Sequence, residues 1–213
     1  MKRGRFITLE GPEGSGKSTQ AERLERRWLA AGRKVLRTRE PGGTPTGETI
    51  RGILQYDTAG EPICPETELL LFEASRAQLV RKVILPALAK GIWVLCDRFA
   101  DSTAAYQGYG RGFALPTVCA INDFAVGAAM PDLTLLLDVE VKHGFERMRG
   151  RRNSPVGGHD RIEREALAFH EKVRAGYLAL AAKEPRRFRV IDGGESPEQV
   201  EAAIWKAVSD VLG

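Results

Sequence analysis

Cysteine is scarce in this chain: the 213 residues hold three, Cys64, Cys96 and Cys119, far apart and without paired spacing. That excludes a disulfide framework and a paired-cysteine zinc site, and the three read most simply as buried thiols. Long apolar runs are missing too. No segment approaches the roughly 20 apolar residues that a membrane span requires. The start, Met1-Lys2-Arg3-Gly4-Arg5, has the positive flank of a signal peptide, but the apolar run behind it meets Glu10 within a few residues. With no address, the expectation is a cytoplasmic protein without a membrane partner. Concentrated charge is also lacking. The net charge is +4, yet Lys and Arg are spread along the chain and alternate with acids, so the basic face of a nucleic-acid-binding protein is not seen. The small excess suits phosphorylated small molecules. There is no repeat, low-complexity tract or linker, and 43% hydrophobic residues over this length suit one domain, 1–213.

What the chain does have is alternation. Phe6 to Leu9, Val35 to Thr38, Ile92 to Cys96, Leu133 to Val139 and Phe188 to Ile191 are short apolar runs that read as buried strands. Stretches of helical period separate them. Ala21, Leu24, Trp28 and Leu29 share one helical face; so do Leu69, Phe72, Arg76, Leu79 and Val83, with Pro86 near that helix's end. The expectation is a three-layer α/β/α fold around a five-stranded parallel sheet, with ligands at the carboxyl ends of the strands. Two segments interrupt the alternation. Residues 40–47 form a glycine- and proline-rich turn directly after the second strand, and residues 149–161 are a polar, basic stretch suited to a mobile lid.

Gly11-Pro12-Glu13-Gly14-Ser15-Gly16-Lys17-Ser18-Thr19 fits G-x-x-x-x-G-K-[ST], after an apolar strand and before an amphipathic helix. Backbone N–H groups of such a loop converge on phosphates, and the helix start adds partial positive charge. Lys17 reaches the β and γ phosphates and Ser18 can ligate Mg²⁺. This identifies a P-loop of the NTP hydrolase type, with Gly11 to Thr19 holding a nucleoside triphosphate. The N-K-x-D segment that reads guanine in GTPases is missing, and the chain is too short for paired ATP modules. A small-molecule kinase remains.

Three further segments narrow the acceptor: Thr38-Arg39-Glu40-Pro41-Gly42-Gly43-Thr44, Asp97-Arg98-Phe99-Ala100-Asp101-Ser102-Thr103-Ala104-Ala105-Tyr106-Gln107-Gly108, and Asp160-Arg161-Ile162-Glu163. Together with the P-loop they resemble bacterial thymidylate kinases over nearly the whole chain. The resemblance implies transfer of the γ-phosphoryl group of ATP to dTMP, with Mg²⁺ as cofactor and a homodimer between helical faces of residues 66–130. It assigns Asp97 to Mg²⁺ through water, Arg98 to the acceptor phosphate, and Glu13 to the neighbourhood of the sugar 3′-hydroxyl. By the same resemblance Phe72 is expected to stack on thymine and Arg76 to donate to a base carbonyl. The resemblance also implies that Tyr106 lies against C2′ of the sugar, that Ser102, Thr103 and Gln107 line the base pocket, and that Glu40 belongs to the substrate side. On periodicity alone Phe72 reads as core, Tyr106 equally as packing, and Glu13 as a loop acid.

The P-loop contains no arginine, unlike the family branch that supplies a catalytic arginine from this loop. The lid must then provide it. Arg149, Arg151, Arg152 and Arg161 are candidates, with Arg151 or Arg152 preferred. Glu163 and Tyr177, on the helix after the lid, are expected to close over the substrate, while His170 reads as structural.

Overall fold

The computed structural model describes residues 3–56, 60–149 and 161–212. Five strands form one parallel sheet in the order β2-β3-β1-β4-β5: β1 Phe6–Glu10, β2 Val35–Arg39, β3 Trp93–Asp97, β4 Leu133–Asp138 and β5 Phe188–Asp192. All five expected strands are present, each within a residue or so of its expected limits. The central strand β1 is buried at every position because both faces of a parallel sheet are covered by its crossover helices.

Successive side chains therefore enter opposite cores. On one face, Ile7, Leu9, Leu95, Leu135 and Leu137 meet Leu24 and Trp28 of α1 (Lys17–Ala30) and Ile204 and Val208 of α9 (Pro197–Leu212). On the other, Phe6, Val94 and Cys96 meet Leu79, Val80 and Ile84, and Leu136 meets Val173 and Tyr177 of α8 (Leu167–Lys183). Phe6, Thr8 and Glu10 share this second face. The remaining helices are α2 (Pro45–Tyr56), α3 (Pro65–Leu79), α4 (Leu85–Ala89), α5 (Ala100–Thr103), α6 (Leu115–Val126) and α7 (Val141–Arg149).

Several local expectations change. The edge strands β2 and β5 are only partly buried, since an edge strand lacks a neighbour on one side. Leu29 is 53% exposed rather than on the buried face of α1. Cys96 is buried, but Cys64 and Cys119 are exposed. Pro86 does lie near the end of its helical run, which closes at Ala89, but the run is not one α-helix: a π-helical turn, Val80–Ile84, joins α3 to α4 and places Pro86 in the first turn of α4, where the missing N–H and the ring are tolerated.

The P-loop backbone is held from behind by α7. A Cβ at Gly14 would lie 2.0 Å from the carbonyl oxygen of Gly144, and a Cβ at Gly144 would lie 2.2 Å from that of Glu13. Both contacts are backbone, so neither side can yield by a rotamer change. Gly144→Ala should therefore push the loop away from α7 and cost about 1–3 kcal/mol of stability. Thermal unfolding and ATP-analogue calorimetry check this; an unchanged melting temperature together with unchanged affinity would contradict the close approach.

Candidate active site

The carboxyl ends of β1, β2 and β3 open onto one cleft of ≈ 290 Å³. Its floor is the P-loop. Gly11, Gly14 and Gly16 all adopt positive φ, which lets the chain turn tightly before α1 begins at Lys17. The Lys17 ammonium curls back across the loop and donates to the carbonyls of Gly11 (3.0 Å) and Pro12 (2.7 Å) and to Ser15 Oγ (3.2 Å). Burial, joined by the charge of Arg98, lowers its pKa to about 8 against the pull of Glu13, Asp97 and Glu10. Ser18 and Thr19 are exposed at the start of α1. Ser18 Oγ donates to Asp97 Oδ2 at 2.6 Å, so two hard oxygen groups meet where a triphosphate's terminal phosphates would lie. Among the described residues no group of three or more His, Cys, Asp or Glu side chains gathers as a metal cage. Such a sparse oxygen set fits Mg²⁺, which keeps most of its waters and takes phosphate oxygens.

Arg98 follows β3 in the left-handed region, at φ 69, a conformation that persists only when the surroundings enforce it. Its Nη2 donates to Glu13 Oε1 at 2.5 Å, and its Nη1 reaches the Gly11 carbonyl and the Tyr177 hydroxyl, both at 3.2 Å. Tyr106 donates its hydroxyl to the same Glu13 oxygen at 2.6 Å. Burial alone would raise the Glu13 pKa, but Arg98, Lys17 and the Tyr106 hydroxyl outweigh it and hold the carboxyl at about 2. Glu13 is thus an anion paired inside the cleft rather than a solvated loop acid. Tyr106 sits in a second π-helical segment, Ala104–Gly110, and lines the cleft.

Phe72, Ser102, Thr103, Gln107 and Glu40 line the same cleft. Phe72 is only partly buried, which places it on the cleft wall and not in the core that its periodicity suggested. Gln107 Nε2 donates to Glu68 at 2.8 Å. Arg76 stands apart. It is 1% exposed, is not part of the cleft wall, and donates to Glu40 Oε2 (2.9 Å from Nε, 2.6 Å from Nη2), Thr103 Oγ1 (2.9 Å), Asn122 Oδ1 (2.7 Å) and Glu73. Two buried carboxylates surround one guanidinium, and Glu40 Oε1 and Glu73 Oε2 have no partner among the described residues. Burial therefore raises the Glu40 pKa to about 7 in spite of Arg76, with Glu73 and Glu10 adding to the rise.

The lid-side expectations divide. Arg151 and Arg152 lie outside the described residues. Arg149 ends α7, exposed. Arg161 donates to the Leu54 carbonyl at 3.2 Å and pairs with the buried Glu68, which also receives Arg111 at 3.0 Å; its cation is spent on holding the segment to α3. Glu163 lines the cleft but from a turn, because α8 begins only at Leu167. Tyr177 does not close over the cleft from outside: it is fully buried beneath Ser102, at 2.8 Å. His170 is buried between Phe145 and Phe169, a structural position. The sequence reading missed Arg39 and Arg51, which also line the cleft. Arg39 adjoins Glu40 in the quoted segment, and Arg51 lies on the helix that follows the glycine-rich turn.

Removing the cation from a buried carboxylate pair is costly. Arg76→Ala should lose roughly 3–5 kcal/mol of stability, and Glu40→Gln in the same chain should restore part of it. Denaturant unfolding reads both; a loss under 1 kcal/mol for Arg76→Ala would mean that the carboxylates are neutralised without it.

A family model described as thymidylate kinase matches residues 9–204. Proteins named thymidylate kinase resemble the chain along its length. That of Deinococcus radiodurans is 52% identical over 210 residues, covering 99% of this chain and 98% of its own. That of Geobacter sulfurreducens is 50% identical over 210 residues, 98% of this chain and 96% of its own, and that of Thermomicrobium roseum 49% identical over 207, 97% and 95%. With a P-loop on the floor of one arginine-lined cleft and likeness of this extent, the chain belongs to the thymidylate kinase family.

Proposed function

We propose that the chain transfers the γ-phosphoryl group of ATP to dTMP, giving ADP and dTDP for the synthesis of DNA precursors. The observation that carries this reading is the convergence of two cations on the P-loop at the floor of one cleft: Lys17 and Arg98 both donate to the Gly11 carbonyl, at 3.0 and 3.2 Å, and Arg98 pairs with Glu13 of the same loop. Lys17 and the Gly11 to Thr19 backbone hold the ATP phosphates. Arg98 clamps the dTMP phosphate and orients its oxygen toward the γ phosphorus, in line with the leaving β-phosphate oxygen. A phosphate monoester is already largely anionic at neutral pH, so alignment and charge compensation carry the reaction, without a strong base. Ser18 directly and Asp97 through water would hold Mg²⁺, which when bound offsets the charge building on the transferring group.

On the acceptor side, Phe72 offers its ring to thymine while Ser102, Thr103, Gln107 and Glu40 bound the pocket. Tyr106, fixed through its hydroxyl by Glu13, faces C2′ and leaves no room for a ribose hydroxyl, and Glu13 accepts from the 3′-hydroxyl. Arg76, 1% exposed and outside the cleft wall, does not reach a base from where it lies; donation to a thymine carbonyl requires its guanidinium to give up part of its hold on Glu40 and turn into the cleft. Arg151 or Arg152 completes the charge compensation from a lid spanning about 149–161 of a single domain, 1–213. Exclusion of water by that lid keeps the phosphoryl group from hydrolysis.

The exposed Leu70 of α3 and Phe124 of α6, 57% and 82% accessible on two helices that pack together, support a homodimer through this face. Among the described residues no helix is long and apolar enough to cross a membrane, which agrees with a cytoplasmic enzyme.

An ADP-release assay across dTMP, dUMP, UMP, CMP, AMP and GMP tests the substrate. dTMP should give the largest kcat/KM; AMP or CMP outpacing it would overturn the reading. Lys17→Ala should lower kcat on the order of a hundredfold or more with dTMP affinity by calorimetry nearly unchanged, whereas an equal loss of both would contradict the division of the cleft.

A further inference from the structure

Glu10 has no part in the chemistry above, yet it is a carboxyl group with zero exposure at the end of β1, directly before the P-loop. Both its oxygens are engaged by groups from other elements. Oε1 accepts the backbone N–H of Phe99 at 2.7 Å. Oε2 accepts the Ser102 hydroxyl at 2.7 Å and the Tyr177 hydroxyl at 3.0 Å. These partners surround Arg98: Phe99 is its chain neighbour, and Arg98 Nη1 donates to Ser102 Oγ at 3.4 Å and to the Tyr177 hydroxyl at 3.2 Å. We infer that Glu10 is a positioning residue for the acceptor phosphate, holding Arg98 in its left-handed backbone conformation and in its guanidinium orientation. This rests on the assignment of Arg98 to the dTMP phosphate.

Proton direction gives the inference its content. Ser102 and Tyr177 have one hydroxyl proton each, and their oxygens lie 2.8 Å apart. Burial, with the charge of Asp101, raises the Glu10 pKa to about 7; in its ionised form the carboxylate only accepts, so both protons then run toward Glu10, directly or one through the other. The lone pairs of the two oxygens are then left for Arg98 Nη1. A glutamine of the same shape cannot reproduce this. With its carbonyl toward Phe99, its amide donates to Ser102 and Tyr177 and turns their protons onto Arg98. With the amide reversed, two N–H donors face each other where a bond of 2.7 Å now lies. Either way an unfavourable donor pair falls on Arg98 or its neighbour.

The orientation of Arg98 is therefore bound to a residue that touches neither substrate. Glu10→Gln keeps volume and removes a buried charge, so the fold should survive. Calorimetry with dTMP and with thymidine, which lacks the phosphate, separates positioning from general damage. The expected result is dTMP affinity weakened about tenfold, the size of one charge-assisted hydrogen bond, with thymidine affinity unchanged within about twofold. In steady state the KM for dTMP should rise in parallel while the KM for ATP holds. Unchanged dTMP affinity, or equal weakening of dTMP and thymidine, overturns the inference. If Glu10→Gln does not fold, Tyr177→Phe should give a smaller loss with the same selectivity for the phosphorylated ligand, and equal binding of dTMP by that variant and the parent overturns it as well. Failure of the parent chain itself to bind dTMP would instead overturn the functional reading.

Discussion

The ion pair between Glu13 and Arg98 joins the parts of the cleft that no local structure connects. Glu13 belongs to the loop after β1, Arg98 to the loop after β3, and Tyr106 reaches the same carboxylate from the π-helical segment beyond. Each of the three is partly or wholly removed from water, so each would be costly to bury alone. The arrangement is stable because the charges meet there. The same pairing fixes the guanidinium beside Lys17, for both cations donate to the Gly11 carbonyl, and the Glu13 carboxylate offsets part of the repulsion that, together with burial, lowers the Lys17 pKa.

The sheet makes this meeting possible. With β1 between β3 and β4, and all strands parallel, the loops after β1 and β3 emerge side by side at one edge, where Leu9 is in register with Asp97. Strand alternation then divides the labour of β1. Ile7 and Leu9 fill the core against α1 and α9, while Phe6, Thr8 and Glu10 turn to the side that carries α5 and α8. Glu10 thus meets Ser102 and Tyr177, residues 92 and 167 positions further on.

Behind the cleft wall lies a second layer of buried charge. Arg76 gathers Glu40, Glu73, Thr103 and Asn122, and Glu68 gathers Gln107, Arg111 and Arg161. Both hubs belong to α3, the helix that also presents Phe72. Buried ionic clusters of this kind add little net stability compared with apolar packing, but their geometry is exacting. They tie the glycine-rich turn after β2 and the segment entering at Arg161 to the helix that brings Phe72 to the cleft.

The sequence by itself determined the parts that depend on short-range physics. Strand and helix alternation followed from hydrophobic period and the P-loop from its glycine spacing and its place between β1 and α1, while segments 38–44 and 97–108 were legible only through their resemblance to thymidylate kinases. Local period could not tell Phe72 on the cleft wall from Phe72 in a core, because either site suits an aromatic on the inward face of α3. It could not reveal that Arg76 is sealed behind the wall, that Arg161 pairs with Glu68, or that Tyr177 lies under Ser102 instead of over the cleft. Nor did it distinguish Glu10 from the last residue of an ordinary strand. Those assignments depend on which groups from distant parts of the chain converge in three dimensions, and burial gives a charge its partner only once the strands are in register and the helices have packed across them.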